Sequence, residues 1–336
     1  MIPTDFAIRL TAFLSDYLPG QRNLSQHTIH SYRDAFALLL RFFRDQRGMV
    51  PERLCIEDVT VPLVVDFLSY LQRERHCSPR TCNQRLGALH SFFRYLQTEQ
   101  PEHLAQCQRI LAIPQRRYTR MAVRYLSTEE LGVILAQPDL RHRQGRRDAM
   151  LLTLLYDTAA RCQELIDLSV RDVRLESPAL VRITGKGRKT RVVPLMTNTT
   201  QLLGEYLAEM GLTRPDQVDA PLFSGRYGGR LSRSGVRYII EKYTAKARTE
   251  RQNLPQHIGP HTLRHAKAMH LLQSGNPLTV IRDILGHVDI KTTEVYARAD
   301  IGMKRRALEQ AVDASPPITR PSWQADQKLI DWLRTL

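Results

Sequence analysis

Three short motifs contain residues that could act on a phosphate ester. Arg161 stands three positions ahead of Glu164 in the segment TAARCQEL, and Lys186 lies in TGKGRKTRVVPL. The third motif comprises His261-Thr-Leu-Arg264-His265, then Gly286-His287, then Tyr296, and its candidates for chemistry are His261, Arg264, His287 and Tyr296. Arginine can grip a phosphate, histidine and lysine can transfer protons, and tyrosine can act as a nucleophile. Each motif alone is weak, because an arginine and a glutamate at this spacing usually form an exposed ion pair and most tyrosines are packing residues.

In order and spacing, the three motifs together resemble the tyrosine recombinase (phage integrase) family, most closely its Xer-like and mobile-element integrase members. The third motif reads HxLRH from His261 to His265, then LGH ending at His287, with Tyr296 nine residues later. The likeness covers about residues 126 to 306 and extends more weakly to the N-terminal helices. It implies a site-specific recombinase that cleaves and rejoins DNA strands through a covalent 3′-phosphotyrosine.

The resemblance also implies a role for each matching residue. The six expected catalytic residues are Arg161, Lys186, His261, Arg264, His287 and the nucleophile Tyr296. Glu164 matches an acidic position that supports the site without reacting. Two permanently protonated guanidiniums can stabilise the charge on a phosphate that a metal would otherwise stabilise. The resemblance therefore implies no metal, no cofactor and no ATP.

Proton transfer leaves alternatives open at two positions. A phenol has a pKa of about 10, so Tyr296 must lose its proton during attack, and His261 is the better candidate for the acceptor. A lysine on a flexible hairpin can protonate the leaving oxygen. Lys186 is the favoured acid, and Lys189 in the same turn is the alternative. His287 is expected to hydrogen-bond the phosphate rather than transfer a proton.

Composition points to a polyanionic partner. The chain of 336 residues carries 49 Lys+Arg against 34 Asp+Glu, a net charge of +15. Only eight of the basic residues are lysines, and arginine suits bidentate phosphate contact, although a base-composition bias in the gene would give the same ratio.

The five cysteines form no CxxC pair, so reduced thiols are expected. No stretch reaches the roughly 18 apolar residues of a membrane span, and we expect a cytoplasmic protein.

Helical signals dominate the part of the chain that precedes the motifs. Ser25 is a helix-capping residue ahead of an apolar pattern of helical period, and Ser78 followed by Pro79 is a second helix start. Residues 1–111 are therefore predicted to form a helical N-terminal domain, which the resemblance identifies as a core-binding, SAM-like domain.

Several basic residues are predicted to contact the DNA backbone, with a merely solvated basic face as the alternative. These candidates are Arg41, Arg44, Arg80, Arg85, Arg116, Arg117, Arg120, Lys189 and Lys267. Three of them, Arg116, Arg117 and Arg120, lie in residues 112–125, which contain four arginines and no acid and are predicted to be a basic interdomain linker.

A second domain is predicted from residue 126 to 310. Ser127 and Glu130 form the capping box S-x-x-E at its start. Two β-rich runs, 179–184 and 191–195, flank the glycine-containing turn at Lys186, and the rest is helical. The predicted fold class is mainly α with a small β-sheet, with a helical N-terminal domain and a mixed α+β catalytic domain.

The C-terminal tail, residues 311–336, contains both tryptophans and an apolar stripe at helical spacing. It either folds back on its own domain or, as the resemblance implies, is exchanged between protomers. The implied partners are double-stranded DNA with recombination core sites and further copies of the chain, four of which would hold two duplexes. Other recombinases of the same element are an open partner class, and no membrane partner is expected.

Three functions remain to be distinguished. The leading hypothesis is an integrase or transposase of a mobile element. A chromosome or plasmid multimer resolvase would use the same chemistry. A catalytically silent architectural DNA-binding protein would be favoured by the loss of Tyr296 or of one of the paired arginines, and all of these are present.

Overall fold

A computed structural model describes residues 3–118, 124–185, 187, 189–225, 228–286, 293, 331 and 333–335. These residues form twelve α-helices and one three-stranded antiparallel sheet. The predicted fold class, mainly helical with a small sheet, is confirmed. The chain divides into two compact units, residues 1–121 and 122–336. No helix in the described ranges is long and apolar enough to cross a membrane.

The first unit is helical throughout its described part. Its α-helices are α1 (Asp5–Ala12), α2 (Gln26–Arg47), α3 (Val61–Arg73), α4 (Pro79–Glu99) and α5 (Leu104–Leu111). A π-helical segment, Phe13–Gln21, continues α1, and two short 3-10 helices lie at Pro51–Arg53 and Pro101–His103. The hydroxyls of Ser25 and Ser78 accept the backbone N–H groups of Thr28 and Thr81, so α2 and α4 begin where the sequence predicts.

Aromatic side chains fill the core of the first unit. The ring of Phe92 lies 5.2 Å from that of Phe36 and 5.3 Å from that of Phe13, in edge-to-face geometry in both cases. All three side chains are buried. Such contacts contribute beyond simple burial of apolar area, and they join α2, α4 and the π-helical segment into one core.

The second unit contains the sheet and the remaining helices. They follow in the order α6 (Thr128–Leu135), α7 (Arg143–Asp157), α8 (Cys162–Asp167), β1 (Val173–Arg174), β2 (Leu180–Thr184), β3 (Thr190–Pro194), α9 (Thr197–Glu209), α10 (Arg233–Glu250), α11 (Pro260–Gln273) and α12 (Leu278–Leu285). Short 3-10 helices lie at Val170–Asp172 and Pro215–Gln217. The predicted capping box is present, since Ser127 and Glu130 each accept the other's backbone N–H. The hairpin of β2 and β3 pairs Thr184 with Thr190 across the turn that contains position 186.

A buried carboxylate joins α7 to α10 in this unit. Asp148 is fully buried, and its oxygens accept from Arg147 at 2.7 Å and from the Tyr243 hydroxyl at 2.8 Å. The ammonium of Lys242 lies 3.4 Å away. A buried charge is tolerated only with such partners, so this cluster fixes how the two helices pack.

A second polar chain fastens the start of the unit to α7 and α11. The Nε2 atom of His270 lies 2.9 Å from the carbonyl oxygen of Leu126, and Nδ1 lies 2.8 Å from the hydroxyl of Tyr156. Because a carbonyl only accepts, Nε2 donates to it and Nδ1 accepts from the tyrosine. Burial lowers the pKa of His270 and raises that of Tyr156 to about 12, so both side chains stay neutral.

Two helical glycines in this unit should respond oppositely to a methyl group. A Cβ atom added at Gly145 in α7 would clash with the backbone carbonyl of Asp139, whereas one added at Gly132 in α6 would meet nothing within 4 Å. We expect Gly145→Ala to lower the free energy of unfolding by about 3 kcal/mol or more, as overpacking does. Gly132→Ala, the matched control, should raise it by up to about 1 kcal/mol. Urea unfolding measures both, and equal stability of the two variants would contradict this packing.

Candidate active site

Arg161 and Glu164 form an ion pair at the start of α8. Arg161 precedes the helix in extended conformation, and the Glu164 carboxylate reaches back to accept its backbone N–H at 2.9 Å. The other carboxylate oxygen accepts from Nη1 of Arg161 at 2.6 Å. Glu164 is buried, while the Arg161 side chain is 37% exposed. The carboxylate therefore holds the guanidinium in place while leaving part of it accessible.

A second arginine, Arg191 on β3, contacts the same carboxylate. Its Nη2 atom donates to Glu164 at 2.7 Å, and its Nε atom donates to the carbonyl oxygen of Ile284 near the end of α12 at 2.9 Å. Burial alone would raise the pKa of Glu164, but the hydrogen bonds and charges of Arg191 and Arg161 outweigh burial and lower this pKa to about 2. Glu164 is therefore an anion at every physiological pH.

Arg264 on α11 is almost entirely buried, with 3% exposure. Nη1 donates to the carbonyl oxygen of Ala159 at 2.5 Å, and Nη2 donates to that of Leu285 at 2.6 Å. Ala159 has a positive φ of 48°, a conformation that costs energy for a residue with a side chain. The guanidinium thus connects the turn between α7 and α8, which leads into Arg161, with the C-terminus of α12.

His261 lies one helical turn before Arg264, in the first turn of α11, and its side chain reaches solvent. Desolvation by the surrounding atoms lowers its pKa, and the charges of Arg264 and Arg161 lower it further. A histidine between two guanidiniums stays neutral and can accept a proton. The pKa of His265 is lowered too, first by burial and then by His261 and Arg264.

The β2–β3 hairpin begins directly on the ion pair. Gly185 donates its N–H to the carbonyl oxygen of Lys189 at 2.8 Å. A Cβ atom added at Gly185 would lie 3.0 Å from Oε1 of Glu164 and 3.9 Å from Nη1 of Arg161. The backbone that precedes Lys186 is therefore in contact with the Arg161–Glu164 pair. Lys186 itself lies outside the described residues.

Gly286 ends α12 with a φ of 64°, in the left-handed region that glycine adopts readily. Its Cα packs against Arg191, so that a Cβ atom there would lie 2.9 Å from Nη1 of that residue. Both the conformation and the contact require glycine at this position. His287 and Tyr296, which follow, lie outside the described residues.

The structure thus brings together four of the residues singled out in the sequence: Arg161, Glu164, His261 and Arg264. It adds Arg191, which the motifs did not single out. A signal for it exists, because Arg191 alternates with the buried Val193 and so lies on the inner face of β3. A charged residue on an inward-facing strand position indicates a buried partner.

The candidate DNA contacts differ in how far they are engaged within the protein. Arg41, Arg80, Arg117 and Lys189 are exposed, and Arg44 is exposed beside Asp45. Arg120 lies outside the described residues. DNA contact by these side chains stays a prediction.

Three of the candidates are held by protein groups. Arg85 is half-buried and donates to the carbonyl oxygen of Ser31 at 3.1 Å. The backbone N–H and C=O of Arg116 bond to the amide of Asn83 at 2.8 and 2.9 Å. Lys267 is 16% exposed, pairs with Asp157 at 3.2 Å and lies 4.6 Å from the centre of the Tyr156 ring. Contact of the Lys267 ammonium with DNA would require that pair to open.

The described residues contain no group of three or more His, Cys, Asp or Glu side chains that could hold a metal ion. None of the five cysteines, all of which lie in the described ranges, is disulfide-bonded.

Family models match both units of the chain. Residues 124–302 match the phage integrase family, and residues 10–100 match the phage integrase N-terminal SAM-like domain. The first match covers more than half of the chain and includes every residue of the cluster.

Individual proteins show the same likeness. The integrase/recombinase y4rC of Sinorhizobium fredii is 39% identical over 97% of this chain and 97% of its own length. The tyrosine recombinase XerC of Pelotomaculum thermopropionicum is 31% identical over 83% of this chain and 90% of its own. The solved structure of the Tn1549 transposon integrase in complex with circular intermediate DNA superposes with a TM-score of 0.68 at 17% identity, over 88% of this chain and 97% of that one. That structure shows a shared fold.

The low pKa of Glu164 predicts a specific acid sensitivity. A carboxylate whose pKa falls on folding stabilises the protein above its unfolded pKa, and this contribution is lost as the pH falls through the folded value of about 2. As the pH falls from 6 to about 2, the unfolding free energy of the wild type should decrease by roughly 2 to 4 kcal/mol more than that of Glu164→Gln. Urea unfolding at several pH values measures this difference. The exposed Glu176→Gln is the control and should follow the wild type, whereas parallel curves for Glu164→Gln would contradict the assignment.

Proposed function

This chain belongs to the phage integrase family and is a tyrosine site-specific recombinase, and from this premise we propose that it cuts and rejoins double-stranded DNA through a covalent 3′-phosphotyrosine at Tyr296. The observation that carries the proposal is that the buried Glu164 holds the Arg161 guanidinium, and that the charges of Arg161 and Arg264 both act on His261. Such an arrangement presents fixed positive charge next to a neutral proton acceptor, which is what transfer of a phosphoryl group to a tyrosine requires.

In the proposed first step, the two guanidiniums bind the non-bridging oxygens of the scissile phosphate. Glu164 and the carbonyl oxygens of Ala159 and Leu285 already orient these groups. Little reorganisation is then needed as negative charge grows on the phosphorus oxygens, and such preorganisation is a main source of catalytic power. Arg161 at the N-cap position of α8 and the buried Arg264 therefore act as a pair.

Proton transfers complete the step. The Tyr296 hydroxyl gives its proton to His261 as its oxygen attacks phosphorus, forming the phosphotyrosine bond. The bond from phosphorus to the 5′ oxygen breaks, and that oxygen takes a proton from Lys186. Strand rejoining is the reverse, with a 5′ hydroxyl attacking the phosphotyrosine. Because the covalent intermediate keeps the bond energy, no ATP is needed.

His287 is proposed to hydrogen-bond the same phosphate. Gly286 immediately before it packs on Arg191, and Leu285 accepts from Arg264, so the chain enters residue 287 directly from the cluster. Lys189 remains the alternative acid to Lys186, since it lies in the same turn.

For the biological role, we propose integration and excision, or transposition, of a mobile element. The support is the likeness to an integrase/recombinase over nearly the full length of both chains. A chromosome or plasmid multimer resolvase is the second candidate, favoured by the likeness to XerC. The proposed domain boundaries are 1–111, 112–125 and 126–310. Assembly into a tetramer on two duplexes would use the tail, 311–336, most of which lies outside the described residues.

The nucleophile can be tested with nicked suicide duplexes. They are made from the sequence that the protein protects in footprinting of the DNA flanking its own gene. Wild type should form a covalent protein–DNA adduct, and Tyr296→Phe should form none, because only the phenolic oxygen can carry the phosphate. Tyr238→Phe is the matched control, an exposed tyrosine on α10 that should keep adduct formation. An adduct retained in Tyr296→Phe would contradict the assignment of Tyr296 as the nucleophile. Absence of an adduct from wild type would contradict the proposal and favour the architectural DNA-binding hypothesis.

The general acid can be identified with a substrate that does not need one. A duplex with sulfur in place of the bridging 5′ oxygen carries a leaving group that departs without protonation. Lys186→Ala should slow cleavage of the normal duplex by about 100- to 10,000-fold and cleave the sulfur duplex at nearly the wild-type rate. Lys189→Ala should leave both rates within about threefold of wild type. The opposite pattern would assign the acid to Lys189.

A further inference from the structure

We propose that Arg191 is a positioning residue of the recombination site, which holds the Arg161–Glu164 pair at a fixed place relative to the turn that leads into residue 287. The inference rests on the proposed function of that site. Arg191 lies within the segment TGKGRKTRVVPL but is not one of the residues to which the sequence assigns a role. We infer that it acts through other residues rather than on the phosphate.

The contacts of Arg191 join three segments that are far apart in the chain. The side chain extends from β3, donates to Glu164 in α8, and donates to the carbonyl oxygen of Ile284 in α12. Its Cδ, Cζ and Nη1 atoms also form the surface on which Gly286 packs. One guanidinium thus sets the spacing between the carboxylate that holds Arg161 and the last residue before His287.

The sheet does not need this side chain for its own pairing. Five register pairs link β3 to β2, and Val193 fills the core position two residues after Arg191. The Arg191 side chain is only 11% exposed. Burying its charge costs desolvation free energy, which hydrogen-bonded partners of opposite or partial negative charge must offset. Its partners are the Glu164 carboxylate and the carbonyl oxygen of Ile284.

Arginine is specifically suited to this position. Its planar guanidinium donates in two directions at once, from Nε to one acceptor and from Nη2 to another. A lysine ammonium on a flexible stem could reach the carboxylate or the Ile284 carbonyl without fixing the angle between them. Substitution by lysine should therefore keep charge and lose geometry.

The experiment compares Arg191→Met and Arg191→Lys with wild type on the suicide duplexes described above. Arg182→Met is the matched control. This substitution removes the same charge from the neighbouring strand, at a side chain that is 51% exposed. At saturating protein, the rate of adduct formation by Arg191→Met should fall about 10- to 100-fold while the Kd for the duplex changes less than about threefold. Arg191→Lys should lie between Arg191→Met and wild type, and Arg182→Met should match wild type.

A pH profile separates positioning from general destabilisation. Without Arg191, burial dominates and the pKa of Glu164 rises, since Arg191 is the first of the groups that lower it. Among the described residues, Arg161 is then the charged group that still lowers the pKa of Glu164. Adduct formation by Arg191→Met should fall further as the pH decreases from 7 to 5, and adding Glu164→Gln should remove this extra acid sensitivity. Wild type should lack it.

Three outcomes overturn the inference. A rate for Arg191→Met equal to wild type overturns it while leaving the proposed function intact. An equal fractional loss at every pH, accompanied by a matching loss of unfolding temperature, shows a structural role only. If wild type forms no adduct, the proposed function and this inference fail together. Should Arg191→Met not fold, Arg191→Lys is measured in its place, and a reduced rate at unchanged unfolding temperature supports positioning.

Discussion

The described part of the site depends on one buried carboxylate. Glu164 is a charge that the protein interior would reject if it stood alone, and its burial by itself works against ionisation. Three donors offset that cost: the backbone N–H of Arg161, the guanidinium of Arg161 and the guanidinium of Arg191. These hydrogen bonds also fix two positive groups that would otherwise repel each other. The contacts that offset the cost of the buried carboxylate are therefore the same contacts that position the guanidinium of the proposed phosphate site.

Much of this could be predicted from the sequence, because the relevant signals are local. Ser25, Ser78 and Ser127 cap helices through contacts with residues three positions away, and a capping signal is contained in such a short segment. The spacing of Arg161 and Glu164 likewise specifies one helical turn. Two β-rich runs flanking a glycine-containing turn predicted the hairpin of β2 and β3, while the two-residue β1 is too short to produce a pattern.

The remaining contacts depend on tertiary packing that no local pattern contains. Arg191 donates to a carbonyl oxygen 93 positions away, and no pattern in the sequence around Arg191 indicates that this carbonyl will be its acceptor. Arginine side chains also make contacts inside the protein. Besides Arg264, the side chains of Arg85, Arg230 and Arg248 donate to backbone carbonyl oxygens. Part of the arginine excess thus links the fold internally, a use that charge counting cannot distinguish from phosphate binding.

The hydrogen bond between Arg264 and Ala159 has a consequence for the nascent chain during synthesis. Donor and acceptor are 105 positions apart, and the partner carbonyl at Leu285 lies a further 21 residues along. Contacts of such long range form late, because the entropy of closing a large loop must be overcome first. A chain still emerging from the ribosome carries Arg161 long before it carries the helix that completes the cluster. Incomplete or truncated chains therefore hold unassembled guanidiniums, and the capacity to break DNA arises only when synthesis of the second unit is nearly finished.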